Sequence, residues 1–199
     1  MTIAKIYARL REEPAGWLRF LITHWPETPS GSLLRRWYWN RRLGFPHDCG
    51  YGRAVVFDYP ALIHIGNRCD FSSETQFFAS ESAGIFIGDE VIMGPQCYLR
   101  AGNHNIGRLD IPLRDQGHSH KSLPYLGQTY SIVVENNVWL GARVVLLSGA
   151  WIGTGTVVSA GSIIKDRIPP NSVVGKCGVY PRRANPPATP VAAQAASLL

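Results

Sequence analysis

Residues 134–168 read VENNVWLGARVVLLSGAWIGTGTVVSAGSIIKDRI. From Val134, every sixth residue is aliphatic: Leu140, Leu146, Ile152, Val158 and Ile164 follow. The position four further on, Val138, Val144, Ala150, Thr156, Ser162 and Ile168, is small or β-branched throughout. With about a third of residues aliphatic, six of them at fixed spacing arise by chance roughly once in a thousand trials per frame. The second column makes chance a weaker explanation still. A period of six fits neither the 3.6 of a helix nor the 2 of one straight strand. It fits short strands separated by tight turns, each strand offering one aliphatic residue to an interior while glycine, as at Gly141 and Gly153, relieves the turns. Of 29 Ile and Val residues, 14 lie between 132 and 174, which favours strand over helix.

The same frame continues toward the N-terminus. Ile87, Met93 and Leu99 keep the spacing, with Gly88 and Gly94 behind the first two; a looser block uses Ile65, Phe71 and Phe77, with Gly66 behind the first. That makes twelve units. Cys69 and Cys97 fall four steps after Ile65 and Met93, where small inward residues are wanted, so they read as buried structural thiols.

Three segments carry a family resemblance. Asn137-Val138-Trp139-Leu140-Gly141-Ala142 is similar to the "NVWIGA" of the hexapeptide-repeat acyltransferases, Ala160-Gly161-Ser162-Ile163-Ile164 to their "AGSVV", and Ile168-Pro169-Pro170-Asn171-Ser172 to their "IPPNS". The resemblance covers about residues 61–183. It implies an all-β solenoid, a left-handed parallel β-helix with a short α-helical N-terminal segment, in which three hexapeptides make one triangular coil and twelve units make about four coils. The handedness is the family's; the usual preference for right-handed parallel crossovers predicts the reverse. The resemblance also implies a homotrimer that binds acetyl-CoA, as acyl donor and with no metal required, in a groove between subunits. Trp139 matches the family tryptophan near the thiol end, with Gly141 and Ala142 in the same motif, and Ala160 the small residue that lets the pantetheine approach. The chain departs from the family's "SVVTKDIPP": Lys165 stands where threonine is expected and Asp166 where lysine is, which weakens Lys165 as a phosphate contact. The "GNPAR" segment is also altered, leaving Arg182 and Arg183 as candidate phosphate partners or as a solvated basic turn.

Between Leu99 and Ile132 the repeat stops, and the segment is polar and turn-rich. Long breaks in a regular solenoid are usually functional. His104 opens this one, and Ile111-Pro112-Leu113 with Gln116-Gly117 follow. That order resembles the sugar and polysaccharide O-acetyltransferases, in which a histidine at this place is the catalytic base. Imidazole suits the task because its ordinary pKa lies near neutrality. Asn103 and Asn105 are candidates to bind the acceptor or brace the loop; Asp89, Asp110 and Glu135 are candidates to orient His104. His118 and His120 raise the question of zinc, but a pair two residues apart inside a loop matches poorly the three-histidine pattern of the γ-class carbonic anhydrases.

The first fifty residues are different material. Ile3, Ile6, Tyr7 and Leu10 recur at helical spacing after Thr2, an N-cap residue, and Leu33, Leu34, Trp37 and Tyr38 do so after Ser32. Four of the six tryptophans precede residue 40, beside Arg35, Arg36, Arg41 and Arg42. Such a segment caps the open end of a solenoid, and its basic-aromatic character also suits peripheral membrane association through residues 1–45. The organisation expected is therefore a helical capping segment over 1–50, a β-helix acyltransferase domain over 51–183 with an inserted loop at 105–131, and a flexible Ala/Pro-rich tail over 184–199.

Composition sets the outer limits. The chain has 199 residues, 45% of them hydrophobic and 17% charged, which excludes global disorder. No run of about 18 uncharged apolar residues is present, and the start has no secretory-signal pattern. Cys49, Cys69, Cys97 and Cys177 form no CxxC pair, which argues against a zinc knuckle or a disulfide framework and for a cytoplasmic protein, with the inner membrane face as a second place. The net charge of +6 permits acidic ligands without choosing among them, and no nucleic-acid motif accompanies it. The function expected is acetyl-CoA-dependent O-acetylation of a sugar or glycan hydroxyl in polysaccharide or glycoconjugate biosynthesis. The alternatives are N-acetylation of a nucleotide-linked amino sugar, acetylation of an antibiotic, a non-catalytic β-helix scaffold, and a zinc carbonic anhydrase.

Overall fold

The computed structural model describes residues 3–44, 48–80 and 83–183, of which 3–13 are followed as backbone only. Thr2, expected as an N-cap, and the tail 184–199 lie outside the described residues. Helix α1 runs Ile3–His24 and helix α2 Pro29–Leu43. The N-cap of α2 is Thr28, not Ser32: its hydroxyl accepts from the Gly31 N–H at 3.2 Å, and Pro29, which has no N–H to satisfy, fills the first turn. Gly44 ends the helix in the left-handed region at φ 92°.

Short strands then wind into three parallel sheets. The first takes Gly50–Tyr51, Asp70–Phe71, Ile92–Met93, Trp139–Leu140, Val157–Val158 and Ser172–Gly175 in spatial order. The second takes Val56–Asp58, Gln76–Phe78, Tyr98–Arg100, Val145–Leu147 and Ile163–Ile164. The third takes Ile63–Ile65, Ile85–Ile87, Ile132–Val134, Trp151–Ile152 and Arg167–Ile168. Each strand pairs with its equivalent one coil on, for example Leu140 with Val158 and Leu146 with Ile164. The chain thus visits the three sheets in turn, and the break after Arg100 rejoins the third sheet in register.

The described residues contain five coils and the start of a sixth, where four were expected. The twelve units counted run from Ile65 to Ile164, so they leave out the buried inward residues Tyr51 and Phe57 at the start, aromatic where an aliphatic residue is expected, and Ile168 and Val174 at the end. The core changes material along the axis. Tyr51, Phe57, Phe71 and Phe77 fill the first two coils, with Phe57 and Phe77 stacked at 4.5 Å, whereas Leu140, Leu146, Ile152 and Val158 fill the later ones. Helix α2 lies across the aromatic end. Trp39 meets Phe57 edge-on at 4.8 Å, and buried Arg35 donates to the carbonyls of Tyr51 at 2.8 Å and Trp25 at 2.7 Å, tying both helices to the first coil.

The glycines behind the aliphatic column do not relieve turns. The left-handed turn positions belong mostly to other residues, among them Arg68, Glu90, Gln96, Asn137 and Arg143, each just before a small buried residue. Gly141 is needed for another reason: a Cβ there would lie 2.6 Å from the backbone nitrogen of Ala160 and 3.1 Å from the Val158 carbonyl oxygen on the next coil. Backbone on backbone leaves nothing to move aside. Gly141→Ala is therefore expected to cost about 1–3 kcal/mol, the usual penalty of overpacking, read as a lower denaturant midpoint at fixed protein concentration.

Cys69 and Cys97 are buried in the core and donate to the carbonyls of Gly88 and Gly141. Burial pushes the Cys97 thiol up to about 11, and its contact with Cys49, together with burial, pushes Cys69 up as well. Both therefore stay protonated structural thiols.

Candidate active site

The turns between sheets form the three edges of a triangular prism, and the candidate residues distribute over them. His104 leaves the second sheet after Arg100 and starts the 105–131 loop on the edge between the second and third sheets. Residues Asn103–His104 pair antiparallel with His118–Ser119, setting His104 opposite His118 with ring centroids 4.6 Å apart. Asn105 braces this ladder, its amide donating to the carbonyls of Gln116 at 3.0 Å and His118 at 3.3 Å. Gln116 in turn donates to the Arg108 and Ile111 carbonyls and accepts from the Arg108 N–H. The His104 side chain stays exposed at the rim of this structure.

Below it, the loop folds back along the same edge. The Lys121 N–H donates to the Ser148 hydroxyl at 2.7 Å, and Ser148 shares a 2.8 Å hydrogen bond with Ser131, whose hydroxyl donates to Ala101. The Lys121 ammonium reaches the Lys165 carbonyl at 3.3 Å and Asp166 at 3.4 Å. The last part of the loop is a hairpin, Leu123–Tyr125 with Gln128–Tyr130, laid over the third sheet. Tyr130 of the hairpin is buried against Phe86 and Val133 beneath it, with Leu123, Tyr125 and Trp151 packed around them. Such a packed loop is a rigid platform for His104, not a loose connection.

The three carboxylates considered as partners of His104 are held elsewhere. Glu135 accepts from the Trp151 indole at 2.7 Å and from the N–H and hydroxyl of Thr154 at 2.8 and 2.9 Å. Burial raises its pKa, but these bonds outweigh burial and hold the carboxyl below its ordinary value. Asp110 pairs with Arg108, and Asp89 accepts from the Asn67 N–H at 2.7 Å. The ring beside His104 is instead that of His118. A separation of fourteen positions carries no periodic signal of that pairing. Among the described residues, no three His, Cys, Asp or Glu side chains are grouped to hold a metal ion.

The candidate donor residues lie on other surfaces. Trp139 stands exposed on the outer face of the first sheet, level with Ile92 and Val157. Gly141 and Ala142 follow it on the edge between the first and second sheets, and Ala160 stacks there one coil on. Gly94 lies one coil before, with room for no Cβ against Ala142. The result is a smooth edge of small residues leading from Trp139. Lys165 lies on the His104 edge. Arg182 lies on the third edge, its guanidinium donating to the Gly155 carbonyl at 2.7 Å, and Arg183 follows it, exposed. The fold thus brings Trp139, Gly141, Ala142 and Ala160 together, and sets Lys165 on the same edge as His104 but two coils on. Within one chain it separates these two groups by the width of the second sheet.

Comparison with known proteins agrees with this architecture. Residues 131–166 match the family described as bacterial transferase hexapeptide (six repeats). The chain is 34% identical to the galactoside O-acetyltransferase of Escherichia coli K12 over 121 residues, 60% of this chain and 52% of that one. It spans about half the length of the curated relatives it matches. It resembles a solved galactoside acetyltransferase in complex with coenzyme A, with 28% identity, a TM-score of 0.57, and coverage of 87% of this chain and 78% of the other. It also resembles a hexapeptide-repeat acetyltransferase of Vibrio cholerae complexed with acetyl coenzyme A, with 25% identity, a TM-score of 0.55, and coverage of 92% and 90%. With its six-residue period, its three stacked sheets and its helical N-terminal segment, this chain has the left-handed β-helix fold of the hexapeptide-repeat acetyltransferases it resembles, and residues 131–166 carry the bacterial transferase hexapeptide repeats.

Proposed function

We propose that the chain is an acetyl-CoA-dependent O-acetyltransferase acting on a sugar hydroxyl, in polysaccharide or glycoconjugate synthesis, with His104 as general base. The observation that carries this reading is His104 itself, presented at the rim by a braced ladder where the repeat breaks. The galactoside O-acetyltransferase likeness and the coenzyme A and acetyl coenzyme A complexes of the structural neighbours support the sugar and the donor.

In this mechanism the His104 imidazole takes the proton of an acceptor hydroxyl as the oxygen attacks the thioester carbonyl. The tetrahedral intermediate collapses with loss of the C–S bond, and the imidazolium returns its proton to the departing thiolate. Backbone N–H groups and loop residues stabilise the oxyanion. No covalent enzyme intermediate is needed, so exposed Cys177 and the buried thiols take no part. Asn105 holds the ladder that presents the base, and Asn103 sits within it. Trp139, Gly141, Ala142 and Ala160 form the wall for the pantetheine arm, since small residues let an extended chain lie close to the coils. Lys165, on the same edge as His104, offers the phosphates a cation, whereas Arg182 and Arg183 lie on the third edge, away from both walls of this site.

Because the small-residue edge and the His104 edge are separated in one chain, the two meet only when copies stand side by side. A homotrimer of prisms does this three times over, each site taking its base from one copy and its donor wall from the next. The measurement that tests donor binding is thermal unfolding with and without acetyl-CoA. Ligand at a hundred times its dissociation constant should add roughly 2.7 kcal/mol per independent site, and Trp139→Ala should require more ligand for the same shift. A folded protein whose transition ignores acetyl-CoA contradicts the proposal.

A further inference from the structure

The α1–α2 hairpin carries apolar surface that the β-helix does not cover. In the second half of α1 only Ile22 and Thr23 are buried. Trp17, Leu18 and Leu21 form one stripe along α1, and Trp25 follows just past the helix end, each between 47% and 65% exposed. Phe20 flanks the stripe, edge-on to Trp17. On α2, Leu33 and Trp37 are exposed four residues apart. Contiguous apolar surface of this kind is rare on a soluble domain unless something covers it.

The charges say what covers it. Between residues 14 and 44 the exposed charged side chains are Arg19, Arg36, Arg41, Arg42 and one acid, Glu27; Arg36 pairs with Asp48 at 2.9 Å, so the surplus rests on Arg19, Arg41 and Arg42, while the start of α1 adds Lys5, Arg9 and Arg11 against Glu12 and Glu13. Glu27 is occupied by the Ser73 hydroxyl and the Arg53 N–H, which hold its pKa below the ordinary carboxylate value. A second copy of the hairpin would bring one set of arginines against another, and the cores of protein–protein interfaces are depleted in charge. An anionic lipid surface meets both features: arginines pair with phosphate headgroups while tryptophan and leucine enter the interfacial layer. Among the described residues no helix is long and apolar enough to cross a membrane, so the contact is a surface one.

We infer that the α1–α2 hairpin docks this protein on an anionic phospholipid surface, through the apolar side chains Trp17, Leu18, Leu21 and Trp25 together with the exposed arginines of the two helices. The inference stands on the hairpin's own surface and holds or fails independently of the acetyl-transfer reading. It is tested by sedimenting the full chain with vesicles of phosphatidylcholine alone, and with vesicles of phosphatidylcholine mixed with phosphatidylglycerol. The protein should sediment with the mixed vesicles, shift its tryptophan emission to the blue, and remain in the supernatant with phosphatidylcholine alone. Arg41→Gln with Arg42→Gln should weaken the partition about thirtyfold. Trp17→Ser with Leu21→Ser should abolish it while leaving the unfolding temperature within a few degrees. Failure of the wild-type protein to sediment with anionic vesicles overturns the inference, as does undiminished binding by the Trp17→Ser, Leu21→Ser variant. A protein that ignores vesicles but drops to a smaller assembly in that variant would show that a second copy covers the stripe instead.

Discussion

His104→Ala should lose at least about a hundredfold in acetyl transfer while folding as the wild type does. General-base catalysis is worth roughly 10²–10⁴ in rate, and the truncation removes the only atoms that take the proton in the proposed mechanism. The fold has little reason to respond. His104 is exposed, and its backbone pairing with His118 survives the loss of the ring. The bracing of the loop rests on Asn105, Gln116, Lys121 and Ser148, none of which needs the imidazole. Donor binding on the small-residue edge should be nearly unchanged, so the loss belongs in kcat. A folded variant with full turnover would remove His104 from the mechanism and leave the scaffold reading in front.

The largest effect on stability is expected at the other end of the prism. Phe57 contacts Trp39, Tyr51, Phe71 and Phe77 at once, with ring centroids from 4.5 to 6.1 Å. It is the point where α2 meets the first two coils. Truncation to alanine leaves a cavity whose walls come from four different elements, so collapse around it is limited. Phe57→Ala should therefore cost about 3–5 kcal/mol, the upper range for large-to-small core changes. Chemical denaturation at fixed protein concentration reads it. A change under about 1 kcal/mol would show that the helices sit on the coils without sharing their core.

These two positions also mark what sequence could and could not convey. The aliphatic column from Val134 to Ile164 is legible because burial in a six-residue coil demands the same chemistry at each pass, and all six residues are buried. Tyr51 and Phe57 obey the same rule with aromatic rings, so a search for aliphatic residues enters the first coil only at its third side, Ile65. The spacing shows where the glycines fall but not why: contact between stacked coils, not backbone conformation, forbids a side chain at Gly141. His104 was legible because it opens the break in the period. Its neighbour His118 was not, since the ladder that joins them depends on loop geometry with no repeat behind it. The spread of Trp139, Lys165 and Arg182 over different surfaces of the prism became visible only when the coils were counted. A linear motif records order along the chain but not which edge each turn occupies.

The central claim is acetyl transfer to a sugar hydroxyl with His104 as the base. The most direct measurement incubates the purified protein with acetyl-CoA and a panel of galactosides, glucosides and oligosaccharide fragments, and follows free thiol release together with the mass of each sugar. The account predicts acceptor-dependent thiol release, a sugar product heavier by one acetyl group that alkali removes as an ester, and loss of both in His104→Ala. Acetylation surviving mild alkali as an amide, or sugar acetylation undiminished in the folded His104→Ala variant, would contradict it.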